Sequence, residues 1–230
     1  MGFMSVFCDA ASRQPSSRFT ATGVKIPWRM PPSGVDSVSS ENSRQRIVDV
    51  AFQLLQKRGG ADVTMGEIAR AAGLSRQAVY LHFADRADLL LAVVRYSDEK
   101  RGLEAEIAKI VEAPDGLAAL REMASLEART NPSIWAVARA LDAVRRVDPA
   151  AERSWQDRLE HRLQGCRAIV DRLRREGLLR PGLAAAAAAD LLWTVTSLRA
   201  WEDLVLQRAW TAEQYEERIY QLLVRGLTTG

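Results

Sequence analysis

Residues 64–83, TMGEIARAAGLSRQAVYLHF, leave this chain few choices of fold. Thr64 stands where an N-cap belongs and Glu67 follows at the third position after it, which makes a capping box. Val63 and Ile68 supply the flanking hydrophobic staple. Ile68, Ala69 and Ala72 then form a thin apolar stripe of small side chains, against which another helix can approach closely. Gly73 suits the left-handed residue that ends a helix, Leu74 plugs the corner, and Ser75 caps the next helix. Two short helices joined by a glycine turn are predicted, the geometry of a helix-turn-helix.

The second of these helices, residues 76–83, is too polar to be core. It buries Val79 and Phe83, four apart, and leaves Arg76, Gln77, Tyr80 and His82 to point elsewhere. Arg can pair bidentately with guanine and Gln with adenine in the major groove, while Ser and Tyr hydroxyls reach phosphates. A solvated helix face explains any one of these residues alone. As a set, on the second helix of such a motif, they point to duplex DNA. Arg44 and Arg46, near the start of the preceding helix, are placed to touch the DNA backbone, and Thr64 and Ser75 sit at the helix starts. Asp85 caps a fourth helix with Arg86 in its first turn, where a cation opposes the helix dipole; a bound phosphate would remove that conflict.

Over residues 46–90 the chain resembles the TetR family of bacterial transcriptional regulators. The matching residues are Ile47, Ala51, Leu54, Leu55 and Gly59, then Thr64, Ile68-Ala69, Ala72-Gly73 and Ser75. The string Tyr80-Leu81-His82-Phe83 and Asp85-Arg86 leading to Leu89 complete them. Arg86 departs from the family's more frequent Lys; both are cationic, but their hydrogen-bonding geometries differ. The resemblance implies an all-α protein, with an N-terminal three-helix head carrying the helix-turn-helix and a C-terminal helical bundle for ligand binding and dimerisation. It also implies a homodimeric regulator that binds a palindromic operator and is released by a small-molecule effector of unknown identity.

The rest of the chain fits that outline. Residues 1–40 are rich in Ser and Pro and read as a disordered extension, residues 41–88 as the DNA-binding head, and residues 89–230 as the effector-binding and dimerisation body. Helical periodicity gives a first helix over 41–58 and a fourth running from Asp85 toward Val111, expected to link head and body. Further helices are expected at 117–129, from Pro132 to about 147, at 150–176, at 183–210 and at 215–227. Net charge is only +3, so the polar second helix, and not overall charge, carries the DNA reading. No apolar run reaches the roughly 18 residues of a membrane span, and the start of the chain lacks the pattern of a secretory leader; a cytoplasmic protein without a membrane partner is expected. Cys8 and Cys166 lie far apart with no metal-ligand spacing, and neither a cofactor nor a metal is expected.

Two sets of body residues stand out. Tyr96, Met123, Trp135, Trp155, Leu159 and Trp193 are candidates to line an effector pocket, because bundle interiors are a usual ligand site. The last two helices are apolar on more than one side, so one side is free for a second copy of the chain. Trp201, Leu204, Tyr215, Ile219, Leu222 and Gly226 are the expected dimer seam, with isologous contact about a two-fold axis. A helical sensor or protein-interaction module that no longer binds DNA is the alternative, and activation in place of repression is a further one. An enzyme is disfavoured, since no phosphate-binding glycine loop, serine elbow or paired His/Cys cluster occurs.

Overall fold

The computed structural model describes residues 34–60 and 63–229, with side chains described from residue 40. The expectation for the extension up to residue 33 lies outside the described residues. The chain's main compact unit is Val38–Gly230; of the unit ahead of it, Met1–Ser37, only the helical residues 34–37 are described.

Among the described residues the fold is all-α. α1 spans Gly34–Lys57, α2 Met65–Ala71, α3 Arg76–His82 and α4 Arg86–Lys100. α5 is Leu103–Glu112, α6 Gly116–Arg145 and α7 Pro149–Arg175. α8 is Ala185–Val195, α9 Leu198–Trp201 running on as a π-helical turn over Glu202–Gln207, and α10 Ala212–Leu227. An antiparallel bridge, Leu179 to Thr228, pins the α7–α8 loop to the end of α10; Arg180 N–H donates to the Leu227 carbonyl at 2.8 Å beside it.

Local chemistry accounts for most helix starts. Thr64–Glu67 and Thr211–Gln214 are both closed capping boxes, and Ser75, Asp85, Asp115, Asp148 and Ser197 each accept a hydrogen bond from the third residue of their helix. Four expected boundaries were displaced. The fourth helix stops at Lys100, because Gly102 takes a left-handed conformation (φ +62°) and starts α5 at a new angle. The helix expected over 183–210 breaks after Val195, where the Thr196 hydroxyl donates back to the Leu192 carbonyl and Ser197 caps α9. α1 begins at Gly34, ahead of the expected start at 41.

The fourth displacement matters most. Pro132 starts no helix; it lies inside α6, a continuous run of 30 residues about 45 Å long. Proline in a helix interior removes one backbone bond and costs about 3 kcal/mol in isolation. Here packing on both sides holds the helix together. Ahead of Pro132, Ala119, Leu120, Met123, Ala124, Leu126 and Ala128 are buried in the body core with α7, α8 and α10. Beyond it, Val137, Ala140 and Leu141 are buried in a second core with Ile47, Ala51, Leu55, Ile68, Val79, Phe83, Leu89 and Val93. The three-helix head therefore does not close its own core: the far half of α6 and Ala151 of α7 complete it.

Candidate nucleic-acid interface and the body behind it

α3 is a seven-residue helix fixed from below. Val79 and Phe83 are fully buried, the Ser75 hydroxyl accepts from Ala78 N–H at 3.1 Å, and Phe83 N–H closes the last turn on the Val79 carbonyl. α2 is held as firmly. Glu67 accepts from Thr64 N–H at 2.9 Å and pairs with Arg58, at the end of α1, at 2.8 Å. Hydrogen bonds from Arg58 and then from Thr64 bring the Glu67 carboxyl down to about 2.

With one face so anchored, the opposite face of α3 presents Ser75, Arg76, Gln77, Tyr80 and Leu81 to solvent. Leu81, 82% exposed, was not among the sequence candidates. Its signal was available as an apolar residue off the Val79–Phe83 stripe, and thymine methyl groups are the apolar feature of the major groove. Arg76 runs beside Gly66 of α2; a Cβ there would stand 3.6 Å from its Cδ. His82 is half-buried.

The other candidates divide. Arg46 is exposed. Arg44 is half-buried and lays its guanidinium 4.8 Å over the Phe83 ring, so its first task is to cover the core beneath α3. Thr64 is exposed but its hydroxyl is engaged with Glu67 at 2.9 Å. Arg86 is half-buried, with its Nε inside the protein, in the first turn of α4.

The expected pocket residues divide between two cores, Met123, Trp135 and Trp193 in or against that of the body, Tyr96 and Trp155 against that of the head. Tyr96 belongs to the seam between α1 and α4: its hydroxyl donates to Asp49 at 2.6 Å and its ring packs edge-on to Phe52 at 5.5 Å. Trp155 packs on the head-side core under the Arg145 guanidinium. Met123 is buried in the body core, and Trp135 lies beneath Arg139 with its six-membered ring toward Gly59. Leu159 and Trp193 share a groove of about 480 Å³, also lined by Gln156, Asp157, Glu160 and Leu163. The division follows from the length of α6, which separates aromatic residues that the sequence cannot place relative to one another.

The expected dimer seam is corrected in part. Trp201, Tyr215 and Ile219 are 3, 0 and 3% exposed within the single chain, so its own core takes them up and they have no surface left for a partner. Leu204 is half-buried, while Leu222 and Gly226 are exposed, together with Leu191 and Leu206. Cys166 is buried, and burial pushes its thiol up to about 11, which keeps it inert at neutral pH.

Residues 47–93 match the sequence profile of the bacterial regulatory proteins, tetR family. Over 85 residues the chain is 39% identical to the HTH-type transcriptional regulator AcrR of Shigella flexneri, covering 36% of this chain and 39% of that one. To TtgR of Pseudomonas putida it is 30% identical over 84 residues, 36% of this chain and 40% of that one. The chain thus aligns with about two-fifths of the length of these curated relatives. Solved structures align further. A transcriptional regulator from Saccharomonospora viridis, solved in complex with choline, superposes with a TM-score of 0.71 at 18% identity, over 83% of this chain and all of that one. NalD of Pseudomonas aeruginosa, the secondary repressor of the MexAB-OprM multidrug efflux pump, gives 0.61 at 23% identity, over 84% of this chain and 98% of that one. These identities establish the shared fold alone. No helix among the described residues is long and apolar enough to cross a membrane. The similarity to the bacterial regulatory proteins, tetR family, thus lies in residues 47–93, from α1 to α4, and the helical body behind them shares the fold of the solved regulators.

Proposed function

We propose that this protein is a homodimeric, effector-responsive transcriptional repressor of the cytoplasm that binds a palindromic operator. The observation that carries the reading is the outer face of α3, where Ser75, Arg76, Gln77, Tyr80 and Leu81 stand exposed while Val79 and Phe83 lock the helix from beneath. Arg76 and Gln77 are the base readers, Leu81 meets a thymine methyl, and Ser75, Tyr80 and Arg46 hold phosphates. Arg44, Thr64, His82 and Arg86 serve mainly to position α3. Two copies of α3 set about 34–36 Å apart would enter successive major grooves.

In this reading the effector acts through α6 as well as α4. Gln56, in the last turn of α1, donates to the Ser133 carbonyl, and the Gly59–Gly60 turn lies directly on α6 at Trp135, Ala136 and Arg139. A shift of α6 in the body is therefore transmitted to the head. An effector can change operator affinity only by its preference between the two arrangements, about 1–3 kcal/mol in such couplings.

Changing Arg76 or Gln77 to Ala is expected to weaken binding of the cognate duplex by about 1–3 kcal/mol and to relax preference at one base pair. Gel-shift titration against single-base operator variants checks this; an equal loss on every sequence would remove the base-reading roles. For the dimer, Leu222→Glu is expected to leave the fold intact and yield monomers with poor operator affinity, because it places a charge on an apolar contact surface. Light scattering that still reports a dimer would place the seam elsewhere.

A further inference from the structure

Where α6, α7, α8 and α10 meet, the core contains polar groups that packing does not call for. Glu127 of α6 is 8% exposed, and Nε of Arg162 on α7 stands 3.6 Å from its carboxylate, beyond hydrogen-bond reach. Arg162 donates instead to the hydroxyl of Thr196 at 2.6 Å. One turn along α6, Asn131 is 4% exposed; its side chain turns to the Glu127 carboxylate, but its Nδ2 has no partner within normal hydrogen-bond distance among the described residues. The hydroxyl of Tyr215 on α10, fully buried and within electrostatic range of both Glu127 and Arg162, is likewise unpartnered among them. So is Nε of Arg101, whose charge also reaches Glu127.

These groups share a sign. Asn131 Nδ2 and Arg101 Nε can only donate, and the Tyr215 hydroxyl is able to, while Asn131 and Arg162 both turn to the one carboxylate of Glu127, so donors outnumber acceptors. The charges lean the same way. Arg101, Arg158 and Arg162 face two carboxylates, Asp98 and Glu127, and Asp98 is already shared between Arg101 and Arg158. Three cations against two anions leaves one positive charge in excess. Burial, opposed by Arg162, Asn131 and Arg101, pushes the Glu127 carboxyl up, which makes it a poor counter-ion for that excess. A buried donor left unmade costs about 1–3 kcal/mol, so several in one place are a standing cost to the fold. Apolar surface borders the site: Arg162 stands 5.4 Å from the ring centre of Trp193, which on its other side lines the groove with Leu159, Leu163, Asp157 and Glu160.

We propose that the centre of the bundle, between Glu127, Asn131, Arg162 and Tyr215, binds an organic carboxylate, with its apolar part against Trp193 and the neighbouring core. The proposal rests on the effector-responsive reading above and names the chemical class of the effector. The carboxylate oxygens accept from Asn131, Tyr215 and Arg162, and its charge offsets the surplus arginine. Because Asn131 precedes Pro132 on α6 and the Gly59–Gly60 turn sits just beyond it, the ligand would pull on the helix that the head rests on.

The test uses the full chain, with thermal shift and tryptophan fluorescence titrations. The probes are straight-chain carboxylates from acetate to decanoate, plus benzoate and phenylacetate, each set beside its primary amide and amine. At least one carboxylate is expected to bind saturably and raise the melting temperature, with the matched amine and amide about tenfold weaker or more. Tyr215→Phe removes a hydroxyl with no partner among the described residues and Asn131→Leu an amide that only approaches Glu127, so both variants are expected to fold, and each should weaken the carboxylate by about fivefold or more. No saturable carboxylate binding, tighter binding of the amine, or binding unchanged in both variants overturns the proposal. A parallel gel shift with an inverted-repeat duplex, selected by the chain from a random pool, keeps the two readings apart. A chain that binds carboxylate but no duplex overturns the repressor reading alone; one that binds the duplex but no carboxylate overturns the ligand class alone.

Discussion

Replacing Phe83 with alanine is expected to cost about 3–5 kcal/mol of stability, a fall in melting temperature of about 6–20 °C for a chain of this size. Phe83 is fully buried, ends α3, and sits in the core shared by α1, α2, α4 and the far half of α6. Truncation leaves a cavity at the one point where all of these meet, and it takes away the ring beneath the Arg44 guanidinium. The same change frees the end of α3, so operator binding should fall by more than the lost stability alone would give at a temperature where the variant is still folded. Leu81→Ala is the matched control: its side chain is exposed, and the fold should not register the change. Urea denaturation of the two variants checks the pair. A Phe83→Ala protein as stable as the parent would mean that α3 is held by something other than this core.

Gly60→Ala is expected to do comparable damage by a different route. Gly60 has φ +75°, where a side chain is strained by about 1–2 kcal/mol. A Cβ there would also collide with the Ala136 carbonyl oxygen and stand 2.9 Å from Arg139 Cβ. The first of these is backbone of α6, so no rotamer change relieves the contact; the head must lift off the helix. Gly73→Ala isolates the conformational part, since φ there is +67° but a Cβ meets nothing within 4 Å among the described residues. Thermal melts should rank Gly60→Ala well below Gly73→Ala, which should lose only about 1–2 kcal/mol. Equal losses would show that the turn does not rest on α6. In the effector-responsive reading, Gly60→Ala should also weaken the dependence of operator binding on effector.

The polar centre of the body illustrates what a sequence hides and what it leaves in view. Leu120, Ala124, Glu127 and Asn131 recur at helical spacing, and so do Arg162, Cys166, Ile169 and Leu173. Glu127, Asn131 and Arg162 therefore occupy positions that the apolar stripe would otherwise fill, which was a legible anomaly. That they meet one another, with Thr196 and Tyr215 closing the site from α8 and α10, was not legible. The pairing depends on how four helices cross, and periodicity along one helix carries no information about that. The aromatic residues mislead for the same reason. Tyr96, Trp135 and Trp155 look alike as helical apolar positions, yet they serve the α1–α4 seam, the head–body contact and the head-side core.

Residues a few positions apart determined the helix-turn-helix. Caps, capping boxes and a glycine that tolerates positive φ act over one turn of chain, and their energies do not depend on what lies across the molecule. So α2 and α3, the Thr211–Gln214 start of α10 and the exposed face of α3 followed from the sequence alone. Tertiary structure decided that Pro132 would lie within a helix, since burial on both flanks outweighs one lost backbone bond. It decided too that Trp201, Tyr215 and Ile219 belong to the chain's own core, and that the head borrows the far half of α6 to close its own. Burial is a sum over distant neighbours, and only the folded arrangement of the helices sets that sum.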